Sequence, residues 1–194
     1  MMNPDKLIKF LGILEKLKCN TRHNWTTNGR QESVAEHSWR LAVLAMLLAD
    51  DFPGIDMNKV IRMCLIHDWG EALTGDIPAF LKTESDEETE ALAIETLLKN
   101  LPDSMAQEYS VLFEEMADLN TEEAILVKAL DKTETLIQHN EAGPGTWLPL
   151  EYELNLTYGN EVCGHFETTK RLRDTVREHT LRIIQEEVKH ISEK

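Results

Sequence analysis

Cys64-Leu65-Ile66-His67-Asp68-Trp69-Gly70-Glu71-Ala72-Leu73-Thr74-Gly75-Asp76 is the stretch on which the reading of the whole chain turns. Adjacent His and Asp sit inside an apolar run, and Glu71 follows one helical turn later. His67 and Glu71 are i,i+4, and Asp68 and Glu71 are i,i+3. A helix continuing to Thr74-Gly75 therefore puts all three on one side. One imidazole and two carboxylates on a buried side are costly unless a charge pairs with them. A divalent cation is the simplest such partner, and His with Asp or Glu suits Zn, Mn, Fe or Co. A His-Asp pair standing alone is more often a local hydrogen bond, so the reading depends on what other helices bring.

Working outward, Asp56 or Asn58 caps this central helix, and Val60, Ile61, Cys64, Leu65 and Asp68 share one face of it. Upstream, Ser33-Val34-Ala35-Glu36 is a capping box opening a helix to about Ala49. His37, Leu41, Leu44 and Leu48 form its apolar stripe, so His37 faces the core. By itself His37 reads as a satisfied core histidine; the His67-Asp68 pair makes it a candidate ligand. Downstream, Asn120 with Glu123 resembles a cap, and Ala124, Val127, Asp131 and Glu134 lie on one side of the following helix. Asp131 sits among core residues and needs a partner. Lys128, at i,i+3, either forms a simple ion pair with it or stands beside a phosphate.

The remaining segments are less specific. Asn3-Pro4 caps a first helix that ends near Cys19-Asn20. Residues 21–31 read as a polar loop with an Asn28-Gly29 turn, carrying Arg22, His23, Trp25 and Arg30. A Trp and two Arg there fit an anion site and a loop anchor equally well. Asp76 follows Gly75 as an ordinary turn residue, placed just past the candidate helix. Residues 83–90 are the acidic, solvated start of another helix; they lack the alternating ligands and Gly of an EF-hand loop. Pro102 starts a shorter helix, residues 140–157 read as an irregular lid or dimer contact, and a long helix closes the chain. No segment shows convincing strand alternation, so the expected class is all-α, a compact helical bundle.

The 194 residues suffice for one domain with a sizeable core. Twenty basic against 35 acidic residues give a net charge of −15, which argues against polymeric nucleic acid and an anionic membrane surface as partners. A small anion stays accessible because a bound metal reverses the local field. No apolar run is long enough to span a bilayer, and residues 1–10 lack the apolar core of a signal peptide. Three cysteines, Cys19, Cys64 and Cys163, show no metal-ligand spacing; free thiols without an export signal point to the cytoplasm.

Three helices thus each bring candidate ligands from a core-facing side: His37, then His67 and Asp68, then Asp131. With these four positions in order, the chain resembles the HD-domain metal-dependent phosphohydrolases. A narrower likeness rests on Arg22 with Trp25, on the run from Glu32 to His37, on His67-Asp68-Trp69-Gly70-Glu71 continuing through Thr74-Gly75-Asp76-Ile77-Pro78, and on Val127-Lys128-Ala129-Leu130-Asp131. These look like the HD-domain 5′-deoxynucleotidases. Some members carry Trp immediately after the Arg, where this chain has His23 and places Trp25 two residues later. Residues 143–157 lie outside the matching region.

The resemblance implies a single HD domain over residues 1–194, with a metal-ligand core at about 33–135 and the last helix packed on it. It implies a homodimer that hydrolyses deoxyribonucleoside 5′-monophosphates using one divalent metal ion (Co, Mn, Zn, Fe, Ni or Mg). His37, His67, Asp68 and Asp131 would hold that ion. Glu71 would orient water or move protons, and Arg22, with Lys128 a weaker second, would grip the phosphate. Asp76 would accept from the sugar 3′ hydroxyl, and Trp25 would crowd the 2′ position. The competing expectations are an HD phosphohydrolase for a nucleotide phosphodiester or a dNTP, and a non-catalytic nucleotide-binding sensor.

Overall fold

The computed structural model describes residues 3–192; the outermost residues of the expected 1–194 domain, 1–2 and 193–194, lie outside the described ones. The helices starting at Pro4, Val34, Met57 and Glu122 begin where a side chain satisfies orphan backbone N–H groups. Asn3 Oδ1 accepts from Asp5 N (2.8 Å) and Lys6 N (3.3 Å), opening α1 (Pro4–Leu14), which tightens into a 3-10 turn over Glu15–Lys18. Ser33 and Glu36 form both bonds of a capping box at the head of α2 (Val34–Leu47). Asp56 caps α3 (Met57–Ile66). The helix carrying Asp131, α7 (Glu122–Ala142), is capped by Thr121 rather than Asn120, because the Thr121 hydroxyl reaches Ala124 N at 3.3 Å.

The core lies where α2, α3 and α7 meet. Leu41, Ala45, Val60, Met63, Cys64, Leu126 and Leu130 are wholly buried in one cluster drawn from those three helices. His37 of α2, Asp131 of α7, and His67 and Asp68 just past the end of α3 are the candidate ligands, so the best-packed part of the molecule also positions the charged groups. Side chains locked by packing hold such a constellation far more tightly than loops do.

Three expectations are corrected. First, the central helix does not run on to Thr74. It ends at Ile66, residues 67–70 form a turn, and a single turn of helix, α4 (Glu71–Thr74), follows. His67 N still bonds Met63 O (2.9 Å), but Trp69, Glu71 and Ala72 bond three residues back, so the backbone tightens and swings round. Gly75, at φ +79°, ends α4. Second, residues 21–31 are not a plain loop. Thr21–Trp25 (β1) and Gln31–Ser33 (β2) pair antiparallel across a turn with Gly29 at φ +85°, and β2 feeds straight into α2. Strand alternation over three to five residues is too short to register in the sequence. The fold is helical with this one small hairpin among the described residues.

Third, residues 140–157 are not irregular. After α7 come a 3-10 turn (Pro144–Thr146), α8 (Glu151–Thr157) and a one-turn α9 (Asn160–Cys163). Trp147 is buried there and donates from Nε1 to His139 O at 3.0 Å. The last helix, α10 (Glu167–Ser192), packs along α7, with Asn140 bridging to Val176 O and Thr180 Oγ1. Its Arg173 is buried and donates to the backbone carbonyls of Asn155 and Tyr158, tying the end of α8 to α10.

The acidic helix α5 (Glu84–Leu98) and α6 (Asp103–Asp118, no shorter than α5) close the other side. Gly70 exists for close approach: a Cβ there would sit 2.8 Å from Glu90 Cγ and 3.2 Å from Glu90 O of α5. Gly12, exposed in α1, has nothing within 4 Å of its missing Cβ. Gly70→Ala should therefore cost about 1–3 kcal/mol, while Gly12→Ala should gain about 0.5–1 kcal/mol. Urea unfolding of the two variants beside the parent checks both signs.

Candidate active site

At the meeting of α2, α3 and α7 the four expected ligand positions converge. His37 Nε2 lies 3.2 Å from Asp131 Oδ1, and His67 Nε2 lies 3.1 Å from Asp68 Oδ2. The two imidazole rings are 5.3 Å apart between centroids. One donor atom from each of His37, His67 and Asp131 falls within 4.8 Å of the others. The outer nitrogens are fixed by the protein. His37 Nδ1 bonds Glu134 Oε2 at 2.5 Å, and His67 Nδ1 donates to Cys64 O at 2.9 Å. Both Nε2 atoms are buried and make no hydrogen bond. Two imidazoles anchored through Nδ1, with enclosed Nε2 atoms turned on a pair of carboxylates, are a donor set that fits a divalent cation.

The electrostatics fit as well. Burial and Arg22 press the His37 pKa down, but the carboxylates of Asp131 and Glu134 beside its two ring nitrogens outweigh them and raise it to about 9. His37 thus carries a proton that a cation would displace on binding. Burial opposes ionisation of Asp68, yet His67 and Arg22 hold it well below the usual carboxylate range. Asp131 is likewise held down against burial by Lys132 and His37.

Around this centre Glu71 is buried, its Oε2 has no partner, and its backbone carbonyl accepts from Asn20 Nδ2. Burial, then the charges of Asp68 and Asp76, push its carboxyl up to about 10. Arg22 projects from β1 and donates to Asp68 Oδ2 and Thr135 Oγ1, both at 3.2 Å. A half-open cavity opens from Arg22 and Asp76. It extends past His23 and Phe80 to His139, Glu151 and Asn155 of α7 and α8.

Two expected contacts fall elsewhere. Lys128 is exposed, and the ion pair with Asp131 is made by Lys132, whose Nζ sits 3.1 Å from Asp131 Oδ2. Three residues along a helix brings Lys128 near, but the adjacent Lys132 reaches round and also covers the Tyr158 ring at 4.9 Å. Trp25 does not line the cavity; it packs edge-on behind His23 at 4.9 Å.

The sequence reading assigned no role to Glu134, Thr135, His139 or Glu151. One signal was present: Val127, Asp131, Glu134 and Gln138 recur at helical spacing and are all buried, a polar stripe on a core helix.

The HD domain family profile matches residues 14–173. The chain belongs to the HD domain family. It is 35% identical over 144 residues to 5′-deoxynucleotidase HDDC2 of Dictyostelium discoideum, covering 69% of this chain and 76% of that one. To the Homo sapiens protein of that name it is 34% identical over 139 residues, covering 70% and 67%. Among solved structures, a predicted metal-dependent phosphohydrolase from Magnetospirillum magnetotacticum MS-1 superposes with a TM-score of 0.80. It is 31% identical, with 93% and 92% of the two chains covered.

Because Glu134 alone among these carboxylates holds the Nδ1 of His37, removing it frees that ring. Glu134→Ala should weaken Mn(II) binding about 10–100-fold, with Glu134→Gln intermediate because it keeps an acceptor. Calorimetric titration of folded, metal-stripped protein gives the answer.

Proposed function

We propose that this HD domain is a metal-dependent phosphomonoesterase that releases phosphate from deoxyribonucleoside 5′-monophosphates. The observation that carries the reading is the pair of enclosed, unpartnered Nε2 atoms facing Asp131 and Asp68, with Arg22 bonded to the same Asp68 and lining the neighbouring cavity. The two 5′-deoxynucleotidase relatives support the substrate class.

His37, His67, Asp68 and Asp131 would hold one divalent cation, and the choice among Co, Mn, Zn, Fe, Ni and Mg rests on availability. When bound, the cation offsets phosphate charge and lowers the pKa of a water. Arg22 turns from Asp68 to clamp two phosphate oxygens in charge-assisted hydrogen bonds. Glu71 would orient the attacking water through Oε2 and, once the cation's charge offsets Asp68 and draws the raised Glu71 carboxyl down, take its proton. Water oxygen bonds to phosphorus as the phosphorus–O5′ bond breaks, and the proton passes to the departing 5′ oxygen. Asp76, lining the cavity beside Arg22, accepts from the sugar 3′ hydroxyl. His23, braced from behind by Trp25, crowds the 2′ position.

The remaining parts of the reading are a single working domain, a homodimer and a cytoplasmic setting. Trp39, Met46 and Leu47 stand exposed on α2, which suits a second copy, and the three free thiols suit a reducing compartment. Among the described residues no helix is long and apolar enough to cross a membrane.

Metal-stripped protein reloaded with Mn or Co should release phosphate from dAMP and, with AMP, run about tenfold slower or worse. Equal rates would sink the 2′ gate, and no release with any metal would sink the phosphatase in favour of a sensor. Glu71→Gln should lower kcat about 10²–10⁴-fold while still binding the cation; full turnover would remove Glu71 from the proton path.

A further inference from the structure

The cavity is lined by residues carrying buried polar atoms that nothing in the protein satisfies. Asn24 Oδ1, His139 Nδ1 and Asn155 Nδ2 have no hydrogen-bond partner, on residues 1%, 6% and 3% exposed. All three residues line the same cavity. Native folds leave few such groups unpaired, and several on one wall point to a ligand that supplies the partners.

The polarity of each atom follows from its neighbours. Asn24 Nδ2 donates to Thr135 O at 3.3 Å, which leaves Oδ1 as an acceptor. His139 Nε2 faces Glu151 Oε1 at 3.7 Å, so its proton belongs on Nε2 and Nδ1 presents a lone pair. Burial pulls the His139 pKa to about 4, and the ring stays neutral. Glu151 is itself occupied: Oε2 accepts from Leu148 N and faces His23 Nε2 at 3.3 Å. Asn155 Nδ2 is a donor. The wall therefore offers two acceptors and one donor.

The wall is rigid, because Arg173 clamps the backbone carbonyl of Asn155 and that of Tyr158. Phe80, Leu136 and Leu154 supply apolar surface for a flat ring between the polar atoms. Arg22 and Asp76 line the same cavity, and Arg22 and Asn24 both donate to Thr135, one to its hydroxyl and the other to its backbone carbonyl.

We infer that this wall reads the nucleobase, favouring bases whose Watson–Crick edge carries an exocyclic amine next to an unprotonated ring nitrogen (adenine and cytosine) over thymine. The amine donates to Asn24 Oδ1 and His139 Nδ1, and the ring nitrogen accepts from Asn155 Nδ2. Thymine has a carbonyl where the amine would be, so its oxygen faces acceptors and leaves them buried and unpaired. The inference rests on the monophosphatase reading for the placement of phosphate and sugar.

Two measurements on the Mn-loaded protein test it separately from that reading. One is kcat/KM for dAMP, dCMP and dTMP; the other is calorimetric binding of deoxyadenosine, deoxycytidine and thymidine. The amine-bearing members should lead thymine by about tenfold or more in both series. Asn155→Leu and Asn155→Asp, which remove or invert the donor while leaving the backbone carbonyl on Arg173, should bring the ratio to within about threefold. A wild-type ratio near one, or a ratio that survives both substitutions, overturns the inference. Equal turnover of all three monophosphates keeps the phosphatase and discards the base reading. Selective nucleoside binding without any turnover does the reverse.

Discussion

His37 Nδ1 and Glu134 Oε2 meet at 2.5 Å in a fully buried contact between α2 and α7, and much of the centre is conditional on it. A carboxylate and an imidazole out of water are each expensive, and they are tolerated only when each satisfies the other. Glu134 Oε1 then faces Arg40 Nε at 3.5 Å, and Arg40 is anchored in turn by Gln138 and Glu141 at the surface. Burial, followed by the nearness of Glu134, lifts the neighbouring Glu32 carboxyl to about 7, so the charge packed here is near the limit the site can hold. With Nδ1 committed to Glu134, Nε2 is the atom left to face Asp131. The hydrogen bond therefore fixes both the ring orientation and the nitrogen that serves the centre.

That constraint explains how much of the site was legible. His37, His67, Asp68 and Asp131 announce themselves because ionisable side chains at core positions of amphipathic helices contradict the pattern around them. The pattern is strong on α2 and α7, where N-terminal caps and apolar stripes set the faces. It misled at the centre, since apolar residues through Cys64-Leu65-Ile66 followed by Glu71 read as one continuous helix. The swing at residues 67–70 comes from the packing of Gly70 against Glu90 and of Trp69 against Phe10 and Tyr109. Those contacts come from distant segments, and no local spacing encodes them.

The reading of single charges failed for a related reason. Helical spacing favours Lys128 as the partner of Asp131, but Lys132 has a long stem and follows the ring of Tyr158 down to the carboxylate. Tyr158 belongs to the segment after α8, more than twenty positions along the chain. Gly159, at φ +74°, lets that segment lie on Lys132, where a Cβ would come within 2.6 Å of the lysine Cβ. A tertiary neighbour thus chooses which of two lysines serves the site.

The molecule divides its labour along the chain. Residues of α2, α3 and α7 are packed into one apolar cluster and present the groups that deal with phosphate chemistry. The walls that face the rest of a bound nucleotide come from the C-terminal half of α7 together with β1, the turn after α4, and α8, and these last three are joined to α7 and α10 by hydrogen bonds. Substitution in the first set disturbs packing and charge together, whereas the second set can change its polar edge while the cluster stays intact. The four candidate ligand positions are therefore readable from one sequence by their conflict with the core. The cavity wall, made of ordinary polar residues in short elements, becomes visible only when the fold brings its unpaired atoms together.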